Sequence, residues 1–455
     1  MKVVIVGAGQ IGVALAKYLR TEDHSVVLVD MQKEVLAHLA EQLDIQTIVG
    51  SGTSPNVLIR AGIKDADVFL SVTGNDEVNI VSCVLAKSLF GVNKRIARLT
   101  SSEYLEKKNA PFLESLAIDV VVSPELETAK RILSDLAIAG AMDVTSFANG
   151  KVEFLGLRCR KNCALIGKTV AQIKELISPV SFTIVAALHK NQLIDLKKAP
   201  IKAGDDVYFF VASGHLERVL DMFGYEFSVP DKILIFGGGH VGYALASLLE
   251  AEDKRQHVMI IEQTEDRAEF LASHLDETLV IKGDGFDDHL LEEIEFKNCD
   301  VTVATTHKDE NNVLLSLLGK RNGIPRSCAL IRNDIYMNYT SGLGIDSFIN
   351  PNAVMVSAIL QHLRKGRVQD GYFLQSGLGE LLQIEVLPTA RITNGTLGKI
   401  KMPKGITLGG VLRHDTFLCP DKELILEAGD IAFVFVERGF VHEAEKLFTV
   451  DLSFF

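Results

Sequence analysis

One stretch of this chain occurs twice, and that recurrence limits the fold more than any other feature. Lys2-Val3-Val4-Ile5-Val6-Gly7-Ala8-Gly9-Gln10-Ile11-Gly12 is echoed by Lys232-Ile233-Leu234-Ile235-Phe236-Gly237-Gly238-Gly239-His240-Val241-Gly242. Each is an apolar run that breaks into G-x-G-x-x-G, and the first continues as Val13-Ala14-Leu15-Ala16-Lys17-Tyr18-Leu19, apolar at helical spacing. A strand, a glycine turn and a helix in this order predict a helix N-terminus aimed at an anion, with Gly7 making the turn, Gly9 admitting a pyrophosphate and Gly12 packing helix on strand. About twenty residues on, Val26–Val29 ends in Asp30, and Val258–Ile261 ends in Glu262, each placed to hold ribose hydroxyls.

Further pairs follow in the same order. Thr73-Gly74-Asn75-Asp76-Glu77-Val78-Asn79 is echoed by Thr306-His307-Lys308-Asp309-Glu310-Asn311-Asn312, Ala97-Arg98-Leu99 by Ile331-Arg332-Asn333, and Ala203-Gly204-Asp205 by Ala428-Gly429-Asp430. The chain reads as one module duplicated. In each module, short β-branched runs alternating with amphipathic helices predict a doubly covered parallel sheet, and a small α+β lobe follows. The expected fold class is α/β, two Rossmann-like parallel-sheet N-lobes each followed by an α+β C-lobe. Expected domains are 1–140, 141–228, 229–371 and 372–455. Glu125 to Met142 reads as one helix, apolar at Leu126, Ala129, Ile132, Leu133 and Leu136, suited to a crossover or dimerising role.

Candidate ligand positions cluster at the predicted strand ends. An acid at Asp30 or Glu262 favours free ribose hydroxyls over a 2′-phosphate, so NAD(H) or ADP/ATP fits better than NADP(H). Ser51 and Asp284 end third strands beside an adenosine, with plain turn formation as the alternative reading. Thr73 and Thr306 close fourth strands, and Asp76 and Asp309 follow within a turn. There, helix capping by Asn75 or Asp76 competes with ligand contact. Arg98 and Arg332 end fifth strands, where a guanidinium reaches phosphate or makes a structural ion pair.

Composition removes several function classes. A net charge of −12 offers no global basic field for nucleic acid or anionic lipid. No apolar run approaches the ~20 residues needed to span a bilayer, and no signal peptide opens the chain, so a soluble, cytoplasmic protein is expected. Six scattered cysteines include one close pair, Cys159 and Cys163, without a histidine or second pair to complete a zinc site; reduced thiols packed as small apolar groups are expected. No Walker lysine, zinc-binding helix or G-x-S-x-G elbow occurs, and the twelve histidines form no paired motif. A duplicated nucleotide fold without a catalytic constellation reads as a sensor, no metal or enzymatic activity being expected. An NAD-dependent oxidoreductase is the enzyme alternative.

The glycine loop with Asp30, Leu58-Ile59-Arg60-Ala61-Gly62 with Ala66-Asp67, Thr73 to Asn79 and the two Ala-Gly-Asp turns together resemble the TrkA family, built from RCK or KTN modules each followed by a TrkA C-terminal lobe. The resemblance covers nearly the whole chain. It implies a non-enzymatic regulatory subunit that binds NAD(H), ATP or ADP and assembles as a homo-oligomer, a dimer or tetrameric ring. The ring would lie under a Trk-type membrane potassium translocator, peripheral on the inner face of the membrane and without nucleic acid. The same module in regulators of cation efflux is the alternative. Family nucleotide contacts carry over to Gly7, Gly9, Gln10, Ile11, Asp30, Thr73, Asp76 and Arg98, and to Gly239, His240, Val241, Glu262, Asp284, Thr306, Asp309 and Arg332. Gly12, Ser51 and Gly237 complete the candidate set. Ser51 stands where the family usually has an acid, which weakens the expected adenosine contact, and Glu262 replaces the commoner Asp.

Overall fold

A computed structural model describes residues 1–105, 115–116, 118–138, 141–177, 179–190, 192–196, 198–225, 229–252, 256–333, 343–363, 368–374 and 378–448. The expected boundaries at 140 and 228 lie outside the described residues. Two compact units account for the chain: Met1–Thr128 with Asn350–Arg364, and Ala129–Ile349 with Lys365–Phe455.

The first unit is built on β1 (Lys2–Val6), α1 (Gln10–Thr21), β2 (Ser25–Asp30), α2 (Lys33–Leu43), β3 (Gln46–Val49), α3 (Pro55–Arg60), β4 (Val68–Ser71), α4 (Asp76–Ser88), β5 (Lys94–Arg98) and β6 (Val120–Val122). Its six parallel strands run in the order β3-β2-β1-β4-β5-β6. The central strands are apolar on both faces because helices cover both, and Val4, Val6, Val27, Val29, Phe69 and Ala97 are buried in one cluster. Strand order reverses between β1 and β4, which opens a crevice at their carboxyl ends.

The helix expected over Glu125 to Met142 is α5 (Pro124–Ala137), shorter than the apolar spacing suggested. It is followed by a strand, β7 (Ala141–Phe147), that the pattern did not reveal. The second unit continues with β8 (Val152–Arg158), α6 (Val170–Ile177), β9 (Phe182–His189), β10 (Gln192–Leu193), β11 (Asp206–Ala212) and α7 (Leu216–Phe223). A second parallel sheet comes next: β12 (Lys232–Phe236), α8 (His240–Ala251), β13 (His257–Glu262), α9 (Glu265–His274), β14 (Leu279–Lys282), α10 (Asp288–Glu293), β15 (Val301–Ala304), α11 (Asp309–Arg321), β16 (Arg326–Leu330) and β17 (Ser347–Ile349). Its order, β14-β13-β12-β15-β16-β17, repeats that of the first. After α12 (Pro351–Leu363) come β18 (Val368–Phe373), β19 (Gly379–Glu385), β20 (Ile406–Arg413), β21 (Thr416–Leu418), β22 (Ile431–Glu437) and α13 (Val441–Phe448).

The helices after the sixth strands change places. α12 follows the second parallel sheet in sequence, yet it packs on α1 in the first unit. α5 follows the first sheet, and from Ala129 onward it belongs to the second unit. There the guanidinium of Arg326 donates from Nη1 to the Leu136 carbonyl at 2.9 Å, and Ser347 Oγ donates to Asp135 Oδ2 at 2.7 Å. The crossover role read from the helix's apolar spacing is therefore reciprocal.

Both C-lobes are antiparallel sheets of one topology, β7-β8-β11-β9-β10 and β18-β19-β22-β20-β21. They share an apolar core in which Phe147, Phe154 and Phe210 meet Leu381, Phe417 and Phe433. Phe147 and Phe210 lie 5.8 and 5.9 Å, ring to ring, from Phe433. Beside this core lies a buried ionic cluster. Arg131 of α5 is 2.9 Å from Asp135 and 3.8 Å from Asp143 of β7, and it donates to the Met142 carbonyl at 3.0 Å. The Tyr372 hydroxyl of β18 donates to Asp143 at 2.9 Å. Burial pushes the Asp135 carboxyl up, while Arg131 and Ser347 pull it down. Removing one member of such a cluster leaves the others desolvated and unpaired. Asp135→Ala is therefore expected to lower stability by about 3 kcal/mol, read as a drop in the urea midpoint of the full chain. Asp135→Asn, which keeps an acceptor for Ser347, should cost less.

Candidate nucleotide site

Each glycine loop is shaped by contacts that leave little choice of residue at two positions. Gly7 has φ +109°, and a Cβ at Gly12 would stand 1.9 Å from the Gly7 carbonyl oxygen. The second module repeats both features, with φ +98° at Gly237 and 2.1 Å from Gly242 to the Gly237 oxygen. Helices α1 and α8 thus begin directly on the strand turn, with unpaired N–H groups at the crevice.

Gly9 is different. Its φ of −70° and ψ of −177° suit any residue, and a Cβ there would meet nothing within 4 Å. Gly239 matches it, at φ −60° and ψ −169°, with His307 Nε2 at 4.0 Å as the nearest atom. Neither folding nor packing requires glycine at these two positions.

Other loop residues are sorted by burial. Ile11 and Val241 have buried side chains, so only their backbone N–H groups are available to a ligand, whereas Gln10 and His240 are exposed. Gln10 Oε1 accepts a 2.6 Å bond from Asn352 Nδ2, in the first turn of α12. The second module's helix thereby touches the first module's loop.

The acids after the second strands have a structural task as well. Asp30 accepts the Ala8 N–H at 2.7 Å on one oxygen and the Gln32 N–H at 2.9 Å on the other. Glu262 does the same for Gly238 and Thr264, both at 2.8 Å. A carboxylate has about four acceptor positions, so each retains capacity for ribose hydroxyls. The second loop is also braced by Arg267, which donates from Nε to the Gly238 carbonyl at 2.7 Å and lies 4.4 Å over the Phe270 ring. Sequence reading missed Arg267, because nothing in its helical position marks a contact to the loop.

At the third strands, Ser51 Oγ bonds Thr53 Oγ1 at 2.8 Å, and Asp284 Oδ1 accepts the Phe286 N–H at 3.0 Å. Both side chains make hydrogen bonds within their turns. Thr73 and Thr306 donate from Oγ1 to Asn79 and Asn312 at 2.7 and 2.6 Å. These buried asparagines were not singled out, although each stands at the same distance after its threonine. Asn79 Nδ2 donates to the carbonyls of Thr73 and Arg98, and its Oδ1 accepts from Thr73 N, Thr73 Oγ1 and Ser71 Oγ. It ties the end of β4 to the end of β5.

Helix capping at α4 falls to Asn75, whose Oδ1 accepts the Val78 N–H at 2.7 Å. Asp76 instead accepts the N–H groups of Thr100 and Ser101, and Asp309 those of Arg332 and Asn333. These bonds correct the sequence match of Arg98 with Arg332. Asp76 faces Thr100 where Asp309 faces Arg332, and Asn312 bonds the Leu330 carbonyl where Asn79 bonds that of Arg98. Arg98 therefore corresponds to Leu330, and Arg332 lies two residues beyond its strand. The connection from fourth to fifth strand is one residue shorter in the second module, since Val68 faces Lys94 and Val301 faces Arg326. Arg332 folds onto the loop after β15, donating to the Thr306 carbonyl at 3.0 Å and standing 3.8 Å from Asp309. Arg98 is half-buried, and its Nε is buried without a hydrogen-bond partner among the described residues.

The TrkA-N domain family matches residues 3–124 and 233–351, and the TrkA-C domain family matches 381–449. The chain is 34% identical over 458 residues to the Trk system potassium uptake protein TrkA of Azorhizobium caulinodans, covering 100% of both chains. It is also 34% identical, over 460 residues and 100% of both chains, to the protein of that name from Haemophilus influenzae. The chain belongs to the TrkA family. Among solved structures, the GsuK channel bound to NAD has 18% identity and a TM-score of 0.60, covering 98% of this chain and 78% of that one. The GsuK RCK domain has the same score and covers 94% of its own chain. At this identity the likeness concerns the fold. The TrkA-C match falls on the second C-lobe, and the first shares its strand order.

In this TrkA-family chain the two asparagine hubs tie the ends of the fourth and fifth strands together. Asn79→Leu takes the partner from half-buried groups of Thr73 and Arg98, each worth about 1–3 kcal/mol at most. The expected result is a lower denaturation midpoint together with weaker nucleotide binding in the first module, measured on the full chain.

Proposed function

We propose that this protein is the cytosolic, nucleotide-binding regulatory subunit of a Trk-type potassium uptake system. The observation that carries the nucleotide is the open space at Gly9 and Gly239. Two glycines that the folded chain does not need stand at the N-termini of two helices, beside carboxylates that already grip the loop. A pyrophosphate would lie against the N–H groups of α1 and α8, with ribose hydroxyls on Asp30 and Glu262. Thr73, Asp76 and Arg98, with Thr306, Asp309 and Arg332, line or hold the far side of each crevice. Ser51 and Asp284 stand on the adenosine side.

The ligand is NAD(H), with ATP or ADP using the same cradle. The curated relatives carry potassium uptake in their names, and the GsuK channel of the same fold is described with NAD. The nucleotide acts as a signal. Whichever conformation binds it more tightly gains population, and by linkage the translocator that prefers that conformation responds. The assembly is a homo-oligomer, dimer or tetrameric ring, docked on the inner face of the membrane through a Trk-type translocator. Among the described residues no helix is long and apolar enough to cross a membrane. We assign residues 141–228 as the first TrkA C-terminal lobe on its topology, alongside 1–140, 229–371 and 372–455.

Calorimetry of the full chain with NADH, NAD, ATP and ADP tests this reading, paired with a sizing run in each state. Binding accompanied by a change in assembly or shape, without NADH consumption, supports a sensor; failure of all four to bind removes it. Gly9→Asp sets a carboxylate against the pyrophosphate where a side chain has room, so the variant should fold and lose binding in the first module. Unchanged first-module affinity in the folded variant would reject that site. With Gly239→Asp disabling the second site, Asp30→Ala should weaken NADH binding at the first by about 1–3 kcal/mol, read as a change in Kd.

A further inference from the structure

Cys159 and Cys163 follow β8 in the first C-lobe, and their sulfurs are 3.1 Å apart. Both are buried, at 1% and 5% exposure, and both are free thiols. Their surroundings hold them firmly. The Cys159 N–H donates to the Asp205 carbonyl at 2.7 Å, and its carbonyl accepts the Gly204 N–H at 2.8 Å. The Cys163 N–H donates to the Arg160 carbonyl at 3.0 Å, and the next residue, Ala164, donates to Met222 of α7 at 2.8 Å.

The duplicated lobe provides an internal control. Val386 donates to the Asp430 carbonyl and accepts from Gly429, while Ala390 donates to Leu387, so the same backbone bonds recur. Val386 and Ala390 are fully buried. Packing at these two positions is thus satisfied by a valine and an alanine, and nothing in the lobe's architecture calls for sulfur. The thiols are a property of the first lobe alone.

We propose that Cys159 and Cys163 form a redox modification site, a dithiol that hydroperoxides convert reversibly to an intramolecular disulfide. The Cys163 thiolate attacks the terminal peroxide oxygen; the O–O bond breaks, the alcohol or water leaves with a proton, and Cys163 becomes a sulfenic acid. Cys159 sulfur then attacks Cys163 sulfur. The S–S bond forms, the S–O bond breaks, and water departs carrying the Cys159 proton. Two thiols are oxidised, and one peroxide is reduced to two molecules of water or to one each of water and alcohol.

Electrostatics assigns the roles. The Cys159 thiol donates toward Cys163 and, against the effect of burial, the backbone N–H groups of Leu165 and Ile166 and the nearby Lys168 draw Cys163 down to about 7. Cys159 is pushed up by that same bond and by burial, which suits the resolving thiol. By contrast, burial raises Cys83 to about 12 and Cys299 to about 11, so those sulfurs stay protonated and inert. The disulfide would staple the end of β8, already bonded to the 203–205 turn, to the segment seated on α7.

The test is to treat the reduced full-length protein with hydrogen peroxide and follow it by intact mass and non-reducing peptide mapping. The expected product has lost two hydrogens, links Cys159 to Cys163, and returns to the dithiol with dithiothreitol. Cys419, the most exposed of the cysteines, serves as the internal reference. Cys163 should be oxidised before Cys419 near neutral pH, and its rate should fall as pH drops below about 7, where its thiolate is protonated. The double variant Cys159→Val/Cys163→Ala, which copies the second lobe, should fold and lose the fast phase. Oxidation of Cys419 first with no 159–163 link, or Cys163 passing directly to sulfinic acid, would overturn the proposal.

Discussion

The direct seating of α1 on the turn after β1 is the contact on which the rest of the molecule depends. With the Gly7 oxygen 1.9 Å from where a Gly12 Cβ would be, the helix has no freedom to withdraw from the strand. Its N-terminus is consequently aimed along the crevice where strand order reverses. The acid at the end of β2 then serves two purposes with one carboxylate, since holding the Ala8 and Gln32 N–H groups fixes the loop and also fixes the carboxylate. A ligand that bonds Asp30 meets a group already oriented, which lowers the entropy lost on binding. The second module repeats the geometry with a longer side chain, Glu262, and adds Arg267 on the carbonyl side of Gly238.

Two features outside the crevices turn separate lobes into coupled ones. Because α12 packs in the first unit and most of α5 in the second, each unit contains a helix that the other module's sheet delivers. Asn352 brings that exchange to the edge of the first glycine loop through Gln10. In the second unit, the Arg131 cluster joins α5, β7 and β18, while Ser347 and Arg326 bind α5 to the parallel sheet. Buried ionic groups of this kind contribute little net stability but penalise every arrangement that separates them. The shared aromatic core of the C-lobes supplies the stability, with each fully buried phenylalanine worth about 1.5–3 kcal/mol. Stability from Phe433 and its neighbours and register from Arg131 are complementary contributions.

Much of this was legible in the chain before the structure, and the exceptions share a cause. The glycine loops, the acids and the order of lobes follow from local spacing, which periodicity reports directly. The strand Ala141–Phe147 was hidden because Asp143, a charged residue in its midst, is buried against Arg131 and Tyr372, so alternation fails where an ion pair replaces apolar packing. The match of Arg98 with Arg332 was off by two residues, and the one-residue shortening of the second module's fourth-to-fifth-strand connection, visible only in strand pairing, accounts for part of it. Asn79 and Asn312 did carry a signal, their fixed place after a threonine, yet an asparagine early in a helix reads as an ordinary polar residue until its buried partners are known. The 3.1 Å approach of Cys159 and Cys163 was likewise invisible, since spacing alone is compatible with two thiols facing apart.

Duplication followed by divergence has left the two crevices unlike. Ser51 is neutral where Asp284 is charged, and Asn75 caps its helix where Lys308 makes no side-chain cap. Arg98 ends the fifth strand of the first module, whereas Leu330 takes that place in the second and Arg332 lies two residues beyond it. The two crevices therefore present different charge and reach to any one ligand.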